Sequence, residues 1–269
     1  MNKIIYFIIL IALFSCTSKR NHSVPSIYSE IIKDSFELYV DLPPGYKSDS
    51  SKYSVAFYMD ANLKMGKEIR RQIKLSSNEK NLQHVIFVGV GHIGPYRKLR
   101  RRDFIPPVMN LGITKDSKDR YFGHADKFYE FLTLELMPFI NKNYPNNKTY
   151  SYIGHSFSGL FAFYCLFKDP SLFKNHIALS PSLWANSNNF YEYEKFYSSK
   201  NYSLPTNLYH ACGTGEWTNK VLSTSRDMSR IFNDRSYTGF KYNYVEHKGK
   251  NHNGVVPVSL EFVFSEIKL

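Results

Sequence analysis

The chain has 269 residues, of which 43% are hydrophobic and 16% are aromatic. This composition is too apolar for a disordered chain, and the length suits one large α/β domain. The formal net charge of +12 is compatible either with an acidic partner or with a solvated basic surface. No helix-turn-helix, zinc-finger or RNP pattern accompanies it, which argues against nucleic acid as that partner.

The first fifteen residues have the features of a signal peptide. Lys3 gives a positive start, and the apolar run IIYFIILIALF that follows is short for a transmembrane helix. The order LFSC resembles the lipobox of bacterial lipoproteins, which implies that Cys16 is lipidated; Phe14 stands where that motif has a smaller residue. Cleavage by ordinary signal peptidase and an uncleaved anchor are the alternatives. We predict an exported lipoprotein, anchored to a membrane on its periplasmic or cell-surface side.

Strand and helix patterns then alternate along the chain. SFELYVDLPPGY predicts a strand that stops at the Pro-Pro-Gly turn, and YSVAFYMD and HVIFVGVG are continuous apolar runs typical of buried parallel strands. DKFYEFLTLELMPFINKNY has helical spacing, and TYSYIG, HIALS, NLYHACG and FKYNYVEHKG read as further strands. A helix is predicted from about residue 219 to 232, and VPVSLEFVFSEI predicts a closing helix.

This alternation indicates an α/β fold with a mostly parallel central sheet and helices on both faces. No internal repeat or low-complexity linker divides the chain. We therefore predict a signal peptide at 1–15, a tether at 16–23 and a single domain at 24–269.

Two features bear on possible ligands. After Cys16 the sequence has only Cys165 and Cys212, both in apolar stretches, so we expect two small buried hydrophobes and neither a disulfide framework nor a metal site. The run YRKLRRRDFIPP concentrates cationic residues, and it reads either as a solvated basic loop or as a face for something acidic.

The stretch YIGHSFSGLFAFY places Ser156 between a predicted strand and a predicted helix. This is the setting of a nucleophile elbow, in which a strained turn exposes the serine hydroxyl. The usual pattern is G-x-S-x-G; Gly154 fits its first glycine, while Ser158 occupies the position of the second and Gly159 follows. A chance turn is the alternative, but the strand–turn–helix context favours a nucleophile.

A serine nucleophile needs a base and an orienting acid, which follow it in the order acid, then histidine. Glu216 follows the strand NLYHACG, and His252 lies in a polar, glycine-flanked loop before the closing helix, so they are our candidates. Competing residues are His155 and His247 for the base and Asp227 and Asp234 for the acid. The oxyanion would be held by the backbone N–H of Phe157 and by that of Ala61 or Asn62.

Together these residues resemble the putative esterases of the esterase D type, which are α/β-hydrolases that include siderophore trilactone esterases and S-formylglutathione hydrolases. The stretches that carry the resemblance are DLPPGY, YSVAFYMDAN, RRRDFIPP, GHSFSGLFAFY, SPSLW, GTGEW and the His252 loop. It implies an α/β-hydrolase fold, with Ser156 as nucleophile and His252 as base. Within these stretches, Arg102, Asp60 and Trp184 are the candidates for substrate binding.

The expected function is hydrolysis of carboxylic esters through an acyl-enzyme, without a metal or organic cofactor. An anionic, aromatic substrate such as a ferric catecholate trilactone would suit the basic charge and the rings. The alternatives are a carbohydrate esterase that removes acetyl or feruloyl groups, and a non-catalytic lipoprotein that binds an anionic ligand on the same fold.

Overall fold

The structure, a computed structural model, describes residues 25–47, 52–110, 112–115, 117–185 and 190–269. The predicted signal peptide, Cys16 and the tether lie outside the described residues. The strands are β1 (Ser26–Ser29), β2 (Asp34–Asp41), β3 (Ser54–Met59), β4 (Val85–His92), β5 (Val108–Asn110), β6 (Ile113–Lys115), β7 (Tyr150–His155), β8 (Asn175–Leu179), β9 (Asn207–Gly213) and β10 (Lys241–His247). The α-helices are α1 (Lys64–Leu75), α2 (Tyr96–Phe104), α3 (Ala125–Glu130), α4 (Met137–Asn143), α5 (Phe157–Lys168), α6 (Phe190–Ser198), α7 (Asn219–Arg235) and α8 (Val255–Glu266), with a π-helical segment, Phe131–Leu136, joining α3 to α4.

Eight strands form one sheet, in the order β1-β2-β4-β3-β7-β8-β9-β10. The pairs β1–β2 and β2–β4 are antiparallel, and every other neighbouring pair is parallel. From β3 the chain moves outward to β4 and later returns to β7 on the other side, so the strand order reverses between β3 and β7. Ligand sites of open α/β sheets lie at the carboxyl ends of the strands at such a reversal.

Helices cover both faces of the sheet, because the central strands are apolar on both sides. All residues of β3, β4 and β8 are buried. On one face α1 and α8 pack together over a core that includes Ile69 and Val263. On the other face α2 to α7 cover a larger, phenylalanine-rich core. The predicted α/β fold, with its mostly parallel sheet and helices on both faces, is confirmed.

Several elements differ from the sequence-based expectation or were not foreseen, among them the short first strand, β1. The basic run YRKLRRRDF is a helix, α2, and not a loop; α1, α6 and the small hairpin β5–β6 carried no pattern that we recognised. Helix α1 is amphipathic, with Ile69 and Ile73 on its buried face, so its helical spacing was present in KMGKEIRRQIKL and was overlooked among the charged residues. Packing against α8 and the sheet, not intrinsic apolarity, stabilises this helix.

Cys165 and Cys212 are free and buried, as expected. Across the described ranges, no helix combines the length and the apolar character that a membrane span requires. The same residues contain no group of three or more His, Cys, Asp or Glu side chains placed to hold a metal ion.

Candidate active site

Ser156 occupies the sharp turn between β7 and α5. Its backbone has φ 64° and ψ −117°, a left-handed conformation that a residue with a β-carbon rarely adopts. A β-carbon at Gly154 would lie 2.2 Å from the carbonyl oxygen of Ser158, so the turn can close only because residue 154 is glycine. The turn is tied to the neighbouring strand, since the Ser156 N–H donates to the Leu179 carbonyl at 3.0 Å.

Ser158, which replaces the second glycine of the usual elbow pattern, is buried and has a defined role. Its hydroxyl oxygen accepts the N–H of His155 at 2.9 Å and lies 3.1 Å from Asp60 Oδ2. The hydroxyl therefore links the elbow to the carboxyl end of β3. A serine fits where a glycine is usual because its polar atom reaches hydrogen-bonding partners on both sides.

Glu216 and His252, the predicted acid and base, are in direct contact. His252 Nδ1 donates to Glu216 Oε2 at 2.7 Å, and Glu216 Oε1 accepts the Ser180 hydroxyl at 2.6 Å and the Gly213 N–H at 3.2 Å. Burial alone would raise the pKa of Glu216, but the hydrogen bonds from His252 and Ser180 outweigh it and hold this pKa below its usual value. Because the ionised carboxylate can only accept, Nδ1 of His252 carries a proton and Nε2 of the neutral ring has a free lone pair.

The loop after β9, which carries Glu216, packs closely against the loop after β10, which carries His252, and this packing produces the contact between the two side chains. A β-carbon at Gly213 would lie 1.9 Å from the Lys250 carbonyl oxygen, so glycine permits the two loops to touch. The Gly215 N–H donates to the same carbonyl at 2.9 Å, and the Thr214 N–H donates to the carbonyl of His247 at 3.1 Å. Backbone hydrogen bonds between the two loops, together with the side-chain hydrogen bond between Glu216 and His252, thus hold these two residues in place.

The structure places the competing histidines in other roles. His155 Nε2 lies 2.8 Å from the carbonyl oxygen of His252, and the two rings are 4.5 Å apart. Burial, reinforced by His252, lowers the pKa of His155 to about 3, so this ring stays neutral and its Nε2 donates to that carbonyl. His247 Nε2 is 2.9 Å from the Ser259 hydroxyl. Asp227 is half-buried on α7 and pairs with Arg230 at 2.8 Å.

One cavity of about 570 Å³ brings these groups together. Its lining includes Ser156, Phe157, Ser182 and His252. The Ser156 hydroxyl lies 3.2 Å from that of Ser182, a buried residue of the SPSLW stretch that we did not single out from the sequence.

The two predicted oxyanion donors border the same cavity. Phe157 is the first residue of α5, so its N–H has no acceptor within the helix. The Ala61 N–H donates to the Val90 carbonyl at 3.0 Å, which leaves Asn62 as the available donor of the two that we considered. The Asn62 side chain is fixed by donation to the His92 carbonyl at 2.7 Å, in space that exists because residue 91 is glycine.

Asp60 and Arg100 form an ion pair at the cavity wall. Arg100 Nε donates to Asp60 Oδ1 at 2.7 Å, and a second guanidinium nitrogen reaches Oδ2 at 3.1 Å. Asp60 is 4% exposed, so its carboxylate mainly holds Arg100 and Ser158 in place. Arg100 was not predicted; it lies four residues after Tyr96, which also lines the cavity, and this helical spacing would have identified it had the run been interpreted as a helix.

Arg102 does not line this cavity. Its guanidinium pairs with Asp103 at 2.7 Å and with Asp34 at 2.9 Å, on the other side of α2. The structure therefore brings together Ser156, His252, Glu216, Phe157, Asn62, Asp60 and Trp184 of the predicted set, and places Arg102 in a different cavity.

Aromatic rings and cations surround the opening. Trp217 is 67% exposed and meets the His252 ring edge to face at 5.6 Å. Trp184 lies beside Phe157, and the Lys220 ammonium is 5.9 Å from the Trp184 ring. Tyr96 and Lys64 complete this side of the lining. The opening therefore offers stacking surfaces together with positive charge.

A family model described as "Putative esterase" matches residues 29–254, which is most of the chain. The chain belongs to this putative esterase family. Two relatives have related descriptions: a siderophore enterobactin esterase of Emericella nidulans is 38% identical over 88 residues, and a siderophore triacetylfusarinine C esterase of Aspergillus fumigatus is 31% identical over 107 residues. These alignments cover 31% and 38% of this chain, and 28% and 34% of the relatives' own lengths.

The fold is similar to that of a solved structure over a much larger part of the chain. The BES protein from Bacillus cereus matches with a TM-score of 0.74 at 25% identity, over 89% of this chain and 93% of that one. The predicted family and its α/β-hydrolase architecture are thereby confirmed.

Proposed function

We propose that this member of the putative esterase family is a carboxylic-ester hydrolase, with Ser156 as nucleophile, His252 as general base and Glu216 as the orienting acid. The observation that carries the proposal is the buried contact between His252 Nδ1 and Glu216 Oε2, at the same cavity as a serine with the strained elbow backbone. A non-catalytic binding protein has no need of either feature.

In the proposed reaction, Ser156 Oγ attacks the ester carbonyl while His252 Nε2 accepts its proton. Glu216 stabilises the resulting imidazolium and keeps Nδ1 protonated. The negative charge that develops on the carbonyl oxygen is held by the N–H groups of Phe157 and Asn62. His252 then protonates the leaving alcohol, and water activated by the same ring releases the acid from Ser156.

The substrate that we propose is an anionic ester with aromatic groups, of which a catecholate siderophore trilactone is the leading example. Lys64 in the lining and Lys220 beside Trp184 supply positive charge, while Arg100 is paired with Asp60. Tyr96, Trp184 and Trp217 supply rings for stacking. The two relatives named for siderophore esterase activity support this choice. A neutral acetyl or feruloyl sugar ester remains the alternative substrate class.

Active-site labelling tests the reaction. We expect a fluorophosphonate probe to label the native protein and to leave Ser156→Ala unlabelled, while Ser265→Ala, which changes an exposed serine on α8, labels normally. Turnover of an aryl ester should fall by roughly 10⁴-fold or more in Ser156→Ala and in His252→Ala. A folded native protein that resists labelling would contradict the proposal and favour a binding protein.

A comparison of substrates tests the finer assignment. We expect kcat/KM for a catecholate trilactone to exceed that for acetylated and feruloylated sugars. The opposite order would assign the chain to carbohydrate esters.

We further propose that the chain is exported and lipidated on Cys16. This proposal rests on the sequence of residues 1–16 alone. In cells fed labelled palmitate, we expect the native chain to incorporate the label and Cys16→Ser to lose it; equal incorporation by both would contradict lipidation at this residue.

A further inference from the structure

A second cavity, of about 690 Å³, lies on the side of α2 away from Ser156. We call it the basic cavity. Its lining is Ile32, Lys33, Asp34, Ile93, Pro95, Leu99, Arg102, Asp103, Ser117, Lys118, Arg120, Tyr121, His124 and Lys127. This volume is within the usual range for small-molecule sites.

The cationic side chains of the basic cavity differ in whether they already have a partner. Arg102 is paired with both carboxylates of the lining, Asp34 and Asp103. Lys33 is paired with Glu30 at 2.8 Å. Lys118, Arg120 and Lys127 form no ion pair with any carboxylate of the described residues, so their charges are available to a ligand.

Part of the lining of the basic cavity is apolar. Ile32, Ile93, Pro95 and Leu99 form it, and the side chain of Ile93 is 43% exposed. The cations come from the segment after β6 and from α3, whereas the apolar residues come from the turn before β2, from the loop between β4 and α2, and from the first turn of α2. A ligand that contacts both the unpaired cations and the apolar residues has an apolar body and at least one negative charge.

We propose that the basic cavity binds a small organic anion, with a ring or alkyl body against Ile93 and a carboxylate, sulfate or phosphate group at Lys118, Arg120 and Lys127. Helix α2 separates this site from the catalytic cavity: Tyr96 and Arg100 line one cavity, and Leu99 and Arg102 line the other. The site is thus distinct from the ester-binding cavity, and its occupancy does not require ester hydrolysis.

Two fluorescent probes test this proposal, because they differ by one charged group. Anilinonaphthalene sulfonate has an aromatic body and a sulfonate, and N-phenylnaphthylamine is the same body without the sulfonate. Each is titrated against the native protein, against Lys118→Gln/Arg120→Gln, and against Lys67→Gln/Lys74→Gln. The last pair removes the same charge from exposed positions on α1.

We expect the native protein to bind the sulfonate in the basic cavity and Lys118→Gln/Arg120→Gln to weaken that binding about tenfold, with no change for the neutral probe. The α1 control should bind both probes as the native protein does. Equal weakening in the two double variants would show that only net charge matters and would overturn the proposal. A native sulfonate affinity that does not change in Lys118→Gln/Arg120→Gln would overturn it as well.

Lys118 and Arg120 do not line the catalytic cavity, so the rate at which a fluorophosphonate labels Ser156 provides an internal control. Lys118→Gln/Arg120→Gln should react with a fluorophosphonate at the native rate. A failure of the ester-hydrolase proposal would appear in that reaction, whereas a failure of the anion site would appear only in the titrations.

Discussion

The hydroxyl of Ser182 lies within hydrogen-bonding distance of the proposed nucleophile, at 3.2 Å from Ser156 Oγ. Ser182 is also bound through its backbone, since its N–H donates to the Ser156 carbonyl at 3.1 Å. In the proposed reaction Ser156 gives its proton to His252, and the Ser182 hydroxyl is positioned to donate to the oxygen that becomes negative. It would then assist the attack.

We expect Ser182→Ala to lower kcat about three- to tenfold with little change in KM, because one hydrogen bond to a developing charge is lost. The measurement is steady-state hydrolysis of an aryl ester, with the melting temperature as a control for folding. A faster Ser182→Ala enzyme would mean that Ser182 competes with His252 for the nucleophile's proton.

Arg100 and Arg102 offer a matched pair of variants, two residues apart on α2 but facing different cavities. Arg100→Gln should reduce kcat/KM for anionic esters about five- to tenfold more than for neutral esters, because it removes positive charge from the catalytic cavity.

Arg102→Gln should change both classes of ester equally and lower the free energy of unfolding by about 3 kcal/mol, because it leaves the buried Asp103 without its cation. Kinetics on both classes of ester distinguish the two variants, whereas urea unfolding should show a loss of stability in both, because Arg100→Gln likewise leaves the buried Asp60 without its cation. An effect of Arg102→Gln on ester selectivity would contradict this assignment and restore the role in substrate binding that the sequence suggested.

At the level of elements, the loops that carry Glu216 and His252 depend on Gly213. Gly213→Ala would place a methyl group 1.9 Å from the Lys250 carbonyl, so we expect the His252 loop to move and kcat to fall at least about 100-fold. Gly249→Ala is the control in the same loop region: Gly249 has φ 69° and no atom near its missing β-carbon, so its cost is about 1 kcal/mol of backbone strain with little loss of activity. Equal activities for the two variants would show that the loop contact is not needed.

Much of the fold and of the proposed triad could be predicted from local sequence. Strands β3 and β4 lie in continuous apolar runs, and the elbow has its own pattern. Charged runs were harder to interpret, because the polarity of α2 hides its helical spacing. Arg100 was missed for this reason, since only the helix shows which of the adjacent arginines faces the nucleophile. Ser182 was missed because its proximity to Ser156 arises from tertiary contact between strands β7 and β8.

Three buried histidines make the stability of the whole molecule depend on pH. Burial lowers the pKa of His155 to about 3, that of His176 to about 4 and that of His210 to about 3. These rings are neutral in the folded state but protonate in the unfolded chain below about pH 6.5. The unfolded state therefore binds more protons between about pH 6.5 and pH 4, so the folded state is progressively destabilised as pH falls through this window.

We expect the free energy of unfolding to fall by up to about 4 kcal/mol per pH unit below pH 6, as three extra protons bind on unfolding. His210→Gln should reduce that slope by about 1.4 kcal/mol per pH unit, whereas His84→Gln, at an exposed position, should leave it unchanged. Urea unfolding at several pH values gives the slopes. A native slope near zero in this range would contradict the neutral state of these rings.

The backbone of Ser156 also bears on how selection acts on the chain. At φ 64° a glycine would relieve strain on the order of 1 kcal/mol or more, so the fold by itself favours losing the side chain at this position. A lineage that stopped using the hydroxyl could therefore gain stability through one codon change, Ser156→Gly. Serine at this turn therefore carries a thermodynamic penalty, which its proposed role as nucleophile would explain.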